Sequence, residues 1–495
     1  MAVSPARVAA FEILMRIETT DAYASEMLHA AHFAKLSSAD HGLLTELVMG
    51  VLRWRGVLDC KIAELTGRSI TDRVSGDRVD DSPLLPKSGR SGAPGSGKTP
   101  AVATDATRTG HPEKALEKFD VEVLTALRLG VYQLLFLDRV PRHAAVNESV
   151  ELVKKARKRS AAGLMNAVLR KIERSEIPHF SQAAREVGNP YCSHLSVPSE
   201  LSHPQWLVER WQRIYGREVT RKICEYDQRA PETAIRLISR PSAGLITFDQ
   251  LRDVGIQFEP GRLLSRAAIV TSGDITRSAA FRERSLVIQD EASQLVALLV
   301  GHGENVLDCC AAPGGKTRII AERNPDGRIV AMELHPRRAA LLKELIAEGN
   351  VRFIAADVRK MPFTRMFDRI LVDAPCSGTG TLARNPEIKW RLRAEDMLRL
   401  QSYQVEILNA AMEHVAPKGR IVYSTCSLEP EENEGVVKQA LRRAGVFRVV
   451  DCGEELEKLG GEVGWEGSLV DGPFLRTIPG VHPCDGFFAA LLEKA

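Results

Sequence analysis

Apolar residues recur at helical spacing through the first third of the chain, then give way to short apolar runs alternating with helical segments. From Pro5 to Gly67, Val8, Phe11, Leu14 and Met15 mark one apolar face, and Leu43, Leu44, Leu47, Val48 and Val51 mark another, which predicts amphipathic helices. The pattern resumes at Phe119 with Val123, Leu124, Leu127 and Val131, continues through Leu134–Leu137, and stops at Pro141, which cannot extend a helix. Two further runs, Ala145–Val153 and Gly163–Arg170, complete an all-α domain over residues 1–175. Between its halves, residues 69–112 are rich in Ser, Gly, Pro, Asp and Thr and poor in large apolar side chains, so a disordered insertion is expected there.

Residues 176–284 read as a small α+β subdomain, with a helix starting at His203-Pro204, strands at Thr233–Ile238 and Ala267–Val270, and a helix at Phe248–Val254. Over residues 285–495 the two periods alternate. Strands are expected at Leu286–Ile288, Asn305–Leu307, Arg328–Ala331, Val351–Ile354, Arg369–Val372 and Arg420–Tyr423, with helices at 291–300, 316–323, 336–347 and 395–415 between them. That alternation predicts an α/β fold with a doubly wound sheet, closed by a strand at Gly486–Leu492. Ligand in such sheets sits at the carboxyl ends of the strands.

Composition narrows the class. At 495 residues, 44% hydrophobic and 26% charged, the chain can bury sizeable cores and is not a disordered protein. No apolar run is long enough to cross a bilayer, and the first residues lack a signal-peptide core, so a cytoplasmic protein without a membrane partner is expected. Nine cysteines, with no paired CxxC spacing, point to reduced thiols and to no metal site. A net charge of +3 does not by itself indicate nucleic acid, but Lys154-Lys-Ala-Arg-Lys-Arg-Ser160 packs five cations into six residues, and Arg170, Lys171 and Arg174 extend the charge.

Three segments carry chemistry. In Val306–Thr317 a strand runs into Cys310-Ala311-Ala312-Pro313-Gly314-Gly315-Lys316 and then a helix, so small residues bring backbone and free helix amides close to a nucleotide-like ligand. Glu333 follows the next strand about 20 residues on, where an acid in such folds accepts hydrogen bonds from ribose hydroxyls. Asp357 and Asp373 follow the next two strands, so three strand ends present carboxylates at one sheet edge. Asp373-Ala-Pro-Cys376-Ser-Gly-Thr-Gly380 and Tyr423-Ser-Thr-Cys426-Ser-Leu-Glu-Pro430 each place a cysteine just past a strand in a polar turn, so two thiols can face one pocket. Cys60, Cys192, Cys224, Cys452 and Cys484 read as packing residues, and Cys309 as pointing into the sheet. Gly92–Thr99 matches the phosphate-binding P-loop pattern formally, but Ser, Gly, Arg and Pro precede it and Pro100 follows, so the strand and helix that a working loop needs are missing.

These segments resemble those of the RNA cytosine-5 methyltransferases of the Nop/Sun family, and in particular their bacterial RsmB/Sun type, which act on ribosomal RNA. The resemblance covers nearly the whole chain. It implies a NusB-like RNA-binding domain over 1–175, an RNA-recognition-like subdomain over 176–284, and a Rossmann-like methyltransferase domain over 285–495 whose closing strand is antiparallel. It further implies S-adenosylmethionine as cofactor, with its methionine carboxylate at the glycine turn, its ribose at Glu333 (where many similar enzymes have Asp) and its adenine amino group at Asp357. Asp373 would lie near both cofactor and base. The same resemblance assigns nucleophilic attack to Cys426 and product release to Cys376, an order that spacing does not supply. Carbon 5 of cytosine is a poor nucleophile until a thiolate adds to carbon 6, which is why this chemistry needs a cysteine.

With RNA as partner, the 154–160 cations become phosphate contacts, and Arg384–Arg391 would offer cations and an aromatic, Trp390, to a flipped base, although Trp390 can also simply pack its loop. Transfer RNA is an alternative substrate, and a NusB-like binding factor with an inactive methyltransferase body an alternative class. The sequence fixes neither the cytosine modified nor an oligomeric state.

Overall fold

The computed structural model describes residues 3–28, 36–67, 119–172, 202–238, 248–346, 348–443 and 445–495. The 69–112 insertion with its P-loop match, Cys192 and Arg174 lie outside them. Two compact units emerge: one from the described parts of 1–22, 26–51 and 57–185, the other from Tyr23–Ser25, Leu52–Gly56 and the described part of 186–495.

The first unit is all helical. Its elements are α1 (Pro5–Thr19), α2 (Ala24–Leu28), α3 (Ser38–Thr66), α4 (Val121–Phe136), α5 (Arg142–Lys155) and α6 (Ala162–Lys171), with a few residues of α2 and α3 counted in the second unit. Local chemistry sets the ends. Ser37 accepts from the Asp40 amide at the start of α3, and Gly67 closes that helix at φ +65°. In α4 Val123, Leu127 and Val131 are buried as expected, but in α1 only Leu14 of the expected face is buried; Val8, Phe11 and Met15 are half-buried, and Ala6, Ala9, Ala10, Ile13 and Ile17 form the buried side instead. A buried ion pair ties the bundle: Arg128 donates to both oxygens of Asp59 at 2.6 and 2.7 Å. Of the basic run, Lys154 pairs with Glu151 at 2.7 Å and Lys158 with Asp120 at 3.0 Å, while Lys155, Arg157, Arg159, Arg170 and Lys171 are exposed.

In the second unit α7 (Gln205–Asp227), broken at Gly216 where φ is +79°, precedes a four-stranded antiparallel sheet of order β2-β3-β1-β4. Its strands are β1 (Thr233–Leu237), β2 (Gln257–Pro260), β3 (Ala267–Ser272) and β4 (Leu286–Ile288), with α8 (Phe248–Asp253) and α9 (Ala279–Arg282) between them. One expectation is corrected here. Leu286–Ile288 does not begin the large sheet but pairs with β1, Arg236 opposite Val287, so the small sheet continues past residue 284. An alternating pattern cannot tell which sheet a three-residue apolar run will join, because either sheet can accept it.

The large sheet has nine strands: β5 (Asn305–Asp308), β6 (Arg328–Glu333), β7 (Val351–Ala355), β8 (Phe367–Asp373), β9 (Val415–Thr425), β10 (Phe447–Val450), β11 (Val470–Asp471), β12 (Phe474–Thr477) and β13 (Phe487–Lys494). Their order is β11-β12-β13-β9-β8-β5-β6-β7, with β10 also paired to β13. Strands β7, β6, β5, β8 and β9 are parallel, and β13 enters antiparallel beside β9, as expected for the closing strand. Around them pack α10 (Glu291–Leu299), α11 (Gly315–Arg323), α12 (Pro336–Leu345), α13 (Ile388–Arg391), α14 (Asp396–Glu413), α15 (Glu434–Arg443) and α16 (Cys452–Lys458). The central strands read as near-continuous apolar runs because helices cover them; Val306, Leu307, Ile370, Leu371 and Val372 are all fully buried. From β5 the chain winds outward to β6 and β7, then returns to β8 on the other side. That reversal opens a crevice at the carboxyl ends of β5 and β8.

Candidate active site

The crevice collects the expected site residues because each follows a strand of the parallel core. At the end of β5 the chain passes Cys310, Ala311, Ala312 and Pro313 and turns at Gly314, whose φ of +107° suits glycine; a Cβ there would meet Ile346 and Leu342 at 2.9–3.0 Å. Gly315 then starts α11 at the carboxyl end of β5, with no side chain capping that helix's first amides. The Ala311 amide donates to the Met332 carbonyl (2.8 Å), which pins the turn to β6.

Four carboxylates line the strand ends, one more than the sequence suggested. Glu333 ends β6, is buried, and accepts from the His335 amide at 3.1 Å. Asp357 follows β7, where it caps its own turn and binds the Arg359 guanidinium (2.7 Å); that hydrogen bond holds its carboxyl below the usual range. The added member is Asp308, the last residue of β5, fully buried with the Thr317 hydroxyl donating to it at 2.7 Å. The strand-end rule that found the others would have found it, had the strand been extended by one residue past Leu307.

Burial pushes Asp308 up to about 7, opposed by the Thr317 hydrogen bond and reinforced by the nearby charge of Asp373. The native state therefore keeps a proton that the unfolded chain releases near pH 4, and stability declines as pH rises from about 4 to about 7, by at most about 1.4 kcal/mol per pH unit for this group. An Asp308→Asn variant, which can still accept from Thr317, is expected to lack that decline in urea-unfolding midpoints measured between pH 4.5 and 8.

Asp373 ends β8 and is the hub of the polar site. It accepts from the Lys316 ammonium at 2.7 Å and from the Ser424 hydroxyl at 2.8 Å. Lys316, expected with the cofactor turn, thus reaches across the crevice to β8. Burial works against its charge, but Asp373 beside it, with smaller help from Cys426 and Asp308, outweighs burial and raises its pKa.

The two cysteines meet because β8 and β9 run parallel in register. Asp373 lies opposite Ser424; three residues beyond the one and two beyond the other, Cys376 and Cys426 leave adjacent strand ends with their sulfurs 3.4 Å apart. The Ala374 amide donates to Ser424 O (2.8 Å) and the Gly380 amide to Cys426 O (2.9 Å), two backbone bonds that cross between the segments. Two thiols so close cannot both ionise. The Cys376 thiol is pushed well above the usual range, first by its hydrogen bond to Cys426, then by burial, then by the negative charges of Cys426 and Glu432.

Other expectations fare differently. Cys309, Cys224, Cys452 and Cys484 are buried as packing residues, and Cys60 is half-buried. The Arg384–Arg391 segment does not present its cations and aromatic to RNA as expected. Arg384 donates to Asp485 (2.6 Å) and Asp290 (3.2 Å), Lys389 is buried, and Trp390 is buried with its indole donating to the Leu52 carbonyl, so this segment uses its charge and aromatic surface to hold the fold. Among the described residues no group of His, Cys, Asp and Glu is placed to hold a metal ion, and no helix is long and apolar enough to cross a membrane.

A doubly wound sheet with an antiparallel closing strand, a glycine turn at the switch point and an acid on the following strand is the architecture of an S-adenosylmethionine-dependent methyltransferase. The residues present fit that cofactor: free amides of α11 for a carboxylate, and Glu333 for a diol. Family comparison agrees. Residues 295–493 match the model "16S rRNA methyltransferase RsmB/F", residues 203–275 the ferredoxin-like domain of RsmF/B-like methyltransferases, and residues 4–78 and 105–174 the NusB family. The chain is 32% identical to the probable ribosomal RNA small subunit methyltransferase B of Bacillus subtilis, over 98% of both chains. It is 33% identical to ribosomal RNA small subunit methyltransferase B of Vibrio cholerae, over 74% of this chain and 80% of that one. Among solved structures, a methyltransferase homologue from Pyrococcus horikoshii superposes with a TM-score of 0.50 at 26% identity, covering 60% of this chain and 97% of that one. The chain belongs to the RsmB/F family of methyltransferases.

Proposed function

We propose that this protein transfers a methyl group from S-adenosylmethionine to carbon 5 of a cytosine in 16S ribosomal RNA, through a covalent bond between Cys426 and carbon 6 of the base. The observation that carries this reading is the pair of sulfurs 3.4 Å apart beside the Lys316–Asp373 ion pair. A methyltransferase acting on an amine or hydroxyl needs neither thiol, because its acceptor already carries a lone pair.

Bound at the glycine turn and Glu333, S-adenosylmethionine supplies an electrophilic methyl on a sulfonium. Everything else is work for the protein's side chains. Cys426 adds to carbon 6 as its thiolate and makes carbon 5 nucleophilic. Asp373, fixed by Lys316 and Ser424, stands at the strand end between the cofactor turn and the cysteines and orients the base. After methylation solvent water takes the carbon 5 proton, the freed electron pair restores the carbon 5–carbon 6 double bond, and the carbon–sulfur bond breaks with its pair on the Cys426 sulfur. The neutral Cys376 thiol then donates to the departing Cys426 sulfur and stabilises the charge that sulfur regains.

The exposed cations Lys155, Arg157, Arg159, Arg170 and Lys171 of the helical unit supply phosphate contacts, and the RNA substrate places the protein in the cytoplasm. The test is incubation with tritiated S-adenosylmethionine and unmodified 16S RNA, transfer RNA or protein, followed by nucleoside mass spectrometry. Label recovered as 5-methylcytidine from 16S RNA supports the proposal. Label in transfer RNA alone would replace the substrate, and label in protein would overturn the reading.

A further inference from the structure

Between the two cysteine loops lies a buried carboxylate for which the chemistry above has no use. Glu432 sits in the turn joining β9 to α15, completely buried. One of its oxygens accepts from the Ser377 amide (2.9 Å) and from Gln404 Nε2 (2.8 Å); the other accepts from the hydroxyls of Ser377 and Ser427. Ser377 directly follows Cys376, and Ser427 directly follows Cys426. The two hydroxyls also lie 3.0 Å apart, and Gln404, from α14, additionally donates to the Pro375 carbonyl just before Cys376 (2.9 Å). Four donors on one carboxylate satisfy its acceptor capacity, which is how a buried anion is tolerated.

We infer that Glu432 is a positioning residue for both cysteines: by gripping the residue after each, one side chain sets the separation of the two sulfurs and holds the loops as a unit. The two loops start from strands already in register, but register ends at Asp373 and Ser424. Beyond it the path of each loop is free to vary unless something spans them. Of the bonds that cross between the loops, the Gly380 amide holds the Cys426 carbonyl and the Thr379 hydroxyl accepts from the Leu428 amide (2.9 Å), but neither touches Cys376 or the residue after it; Glu432 joins the residues that follow both cysteines. Its charge also acts on Cys376, adding to the other causes that keep that thiol protonated. The sequence gives no sign of this role, since Glu429, Glu431, Glu432 and Glu434 crowd one short acidic stretch and only packing distinguishes them.

The inference rests on the proposed cysteine chemistry for its meaning, but its test does not. Diamide oxidises two neighbouring thiols to a disulfide, taking up their two electrons and two protons, and peptide mapping can follow the Cys376–Cys426 crosslink without RNA or cofactor. In Glu432→Gln the amide keeps an oxygen for the Ser377 and Gln404 N–H groups and turns its NH2 toward two hydroxyls that can rotate to accept it, so volume and fold are retained. We expect this variant to crosslink at least about 10-fold more slowly, and to lose about 10²-fold in kcat with the RNA KM and the affinity for S-adenosylhomocysteine within about 2-fold of the parent, because a displacement near 1 Å costs that much in reaction but little in binding. Ser377→Ala and Ser427→Ala should each slow crosslinking, and neither should add to the effect of Glu432→Gln, since all three cut the same bracket. Should Glu432→Gln fail to fold, the two serine variants decide. Crosslinking at the parental rate in the folded variants overturns the positioning role whatever the enzyme's substrate proves to be, whereas slowed crosslinking with no methyl transfer in any form, parent included, would leave the bracket standing and sink the proposed activity.

Discussion

Cys426→Ala is expected to lose methyl transfer by at least about 10⁴-fold while still binding S-adenosylhomocysteine and unfolding at the parental temperature. The size follows from removing a covalent catalyst rather than weakening a contact, a class of change that costs this much or more in other nucleophile enzymes. Without addition at carbon 6, carbon 5 has no reason to attack, and Cys376 does not take over: with Cys426 gone its hydrogen bond to that thiol is lost, but burial and the charge of Glu432 still disfavour its thiolate. Cys376→Ala is expected to do something different. Attack and methylation continue, release slows, and a protein–RNA adduct accumulates on a denaturing gel. If Cys426→Ala traps adduct and Cys376→Ala abolishes it, the two roles are reversed.

The second large effect is expected at the ion pair. Asp373→Ala should lower kcat/KM by about 10³-fold, because it removes an orienting group and takes from the buried Lys316 ammonium its main counter-charge. Breaking a pair this enclosed, with side chains 13% and 25% exposed, should also cost about 3 kcal/mol of stability, the lower end of the range for buried pairs. Lys316→Met should resemble it in activity, and the double variant should be no worse than Asp373→Ala alone, since each partner acts through the other. Steady-state kinetics and urea unfolding on the three variants test this; strictly multiplicative losses would show that the residues act separately.

How much of this was legible in the chain depends on the physical signal each feature left. The parallel core was readable because strands covered on both faces, such as Arg369–Val372, are apolar runs with few rivals. The cysteine pair was readable because each follows such a run within a few residues, and adjacent parallel strands bring the loops past their ends side by side. Leu286–Ile288 was assigned to the wrong sheet because three apolar residues carry no information about their partner. Strands β10, β11 and β12 went unseen: their edge positions mix Arg, Asp and Thr with apolar residues and leave no clear period. Among site residues, the missed ones are those whose role depends on enclosure. Asp308 and Glu432 look like any other acid until the fold buries them, and Arg384 and Trp390 look like RNA-binding groups until Asp485 and the Leu52 carbonyl are found against them.

The account stands or falls on a bond between Cys426 and the target base, and one measurement reaches it directly. A substrate RNA carrying 5-fluorocytosine has no proton to lose from carbon 5 after methylation, so release is blocked and the covalent species should persist. Digestion and mass spectrometry should then find the methylated fluoropyrimidine nucleotide on the peptide containing Cys426. Finding it on the Cys376 peptide, or finding no adduct while ordinary cytosine is methylated, would contradict the mechanism.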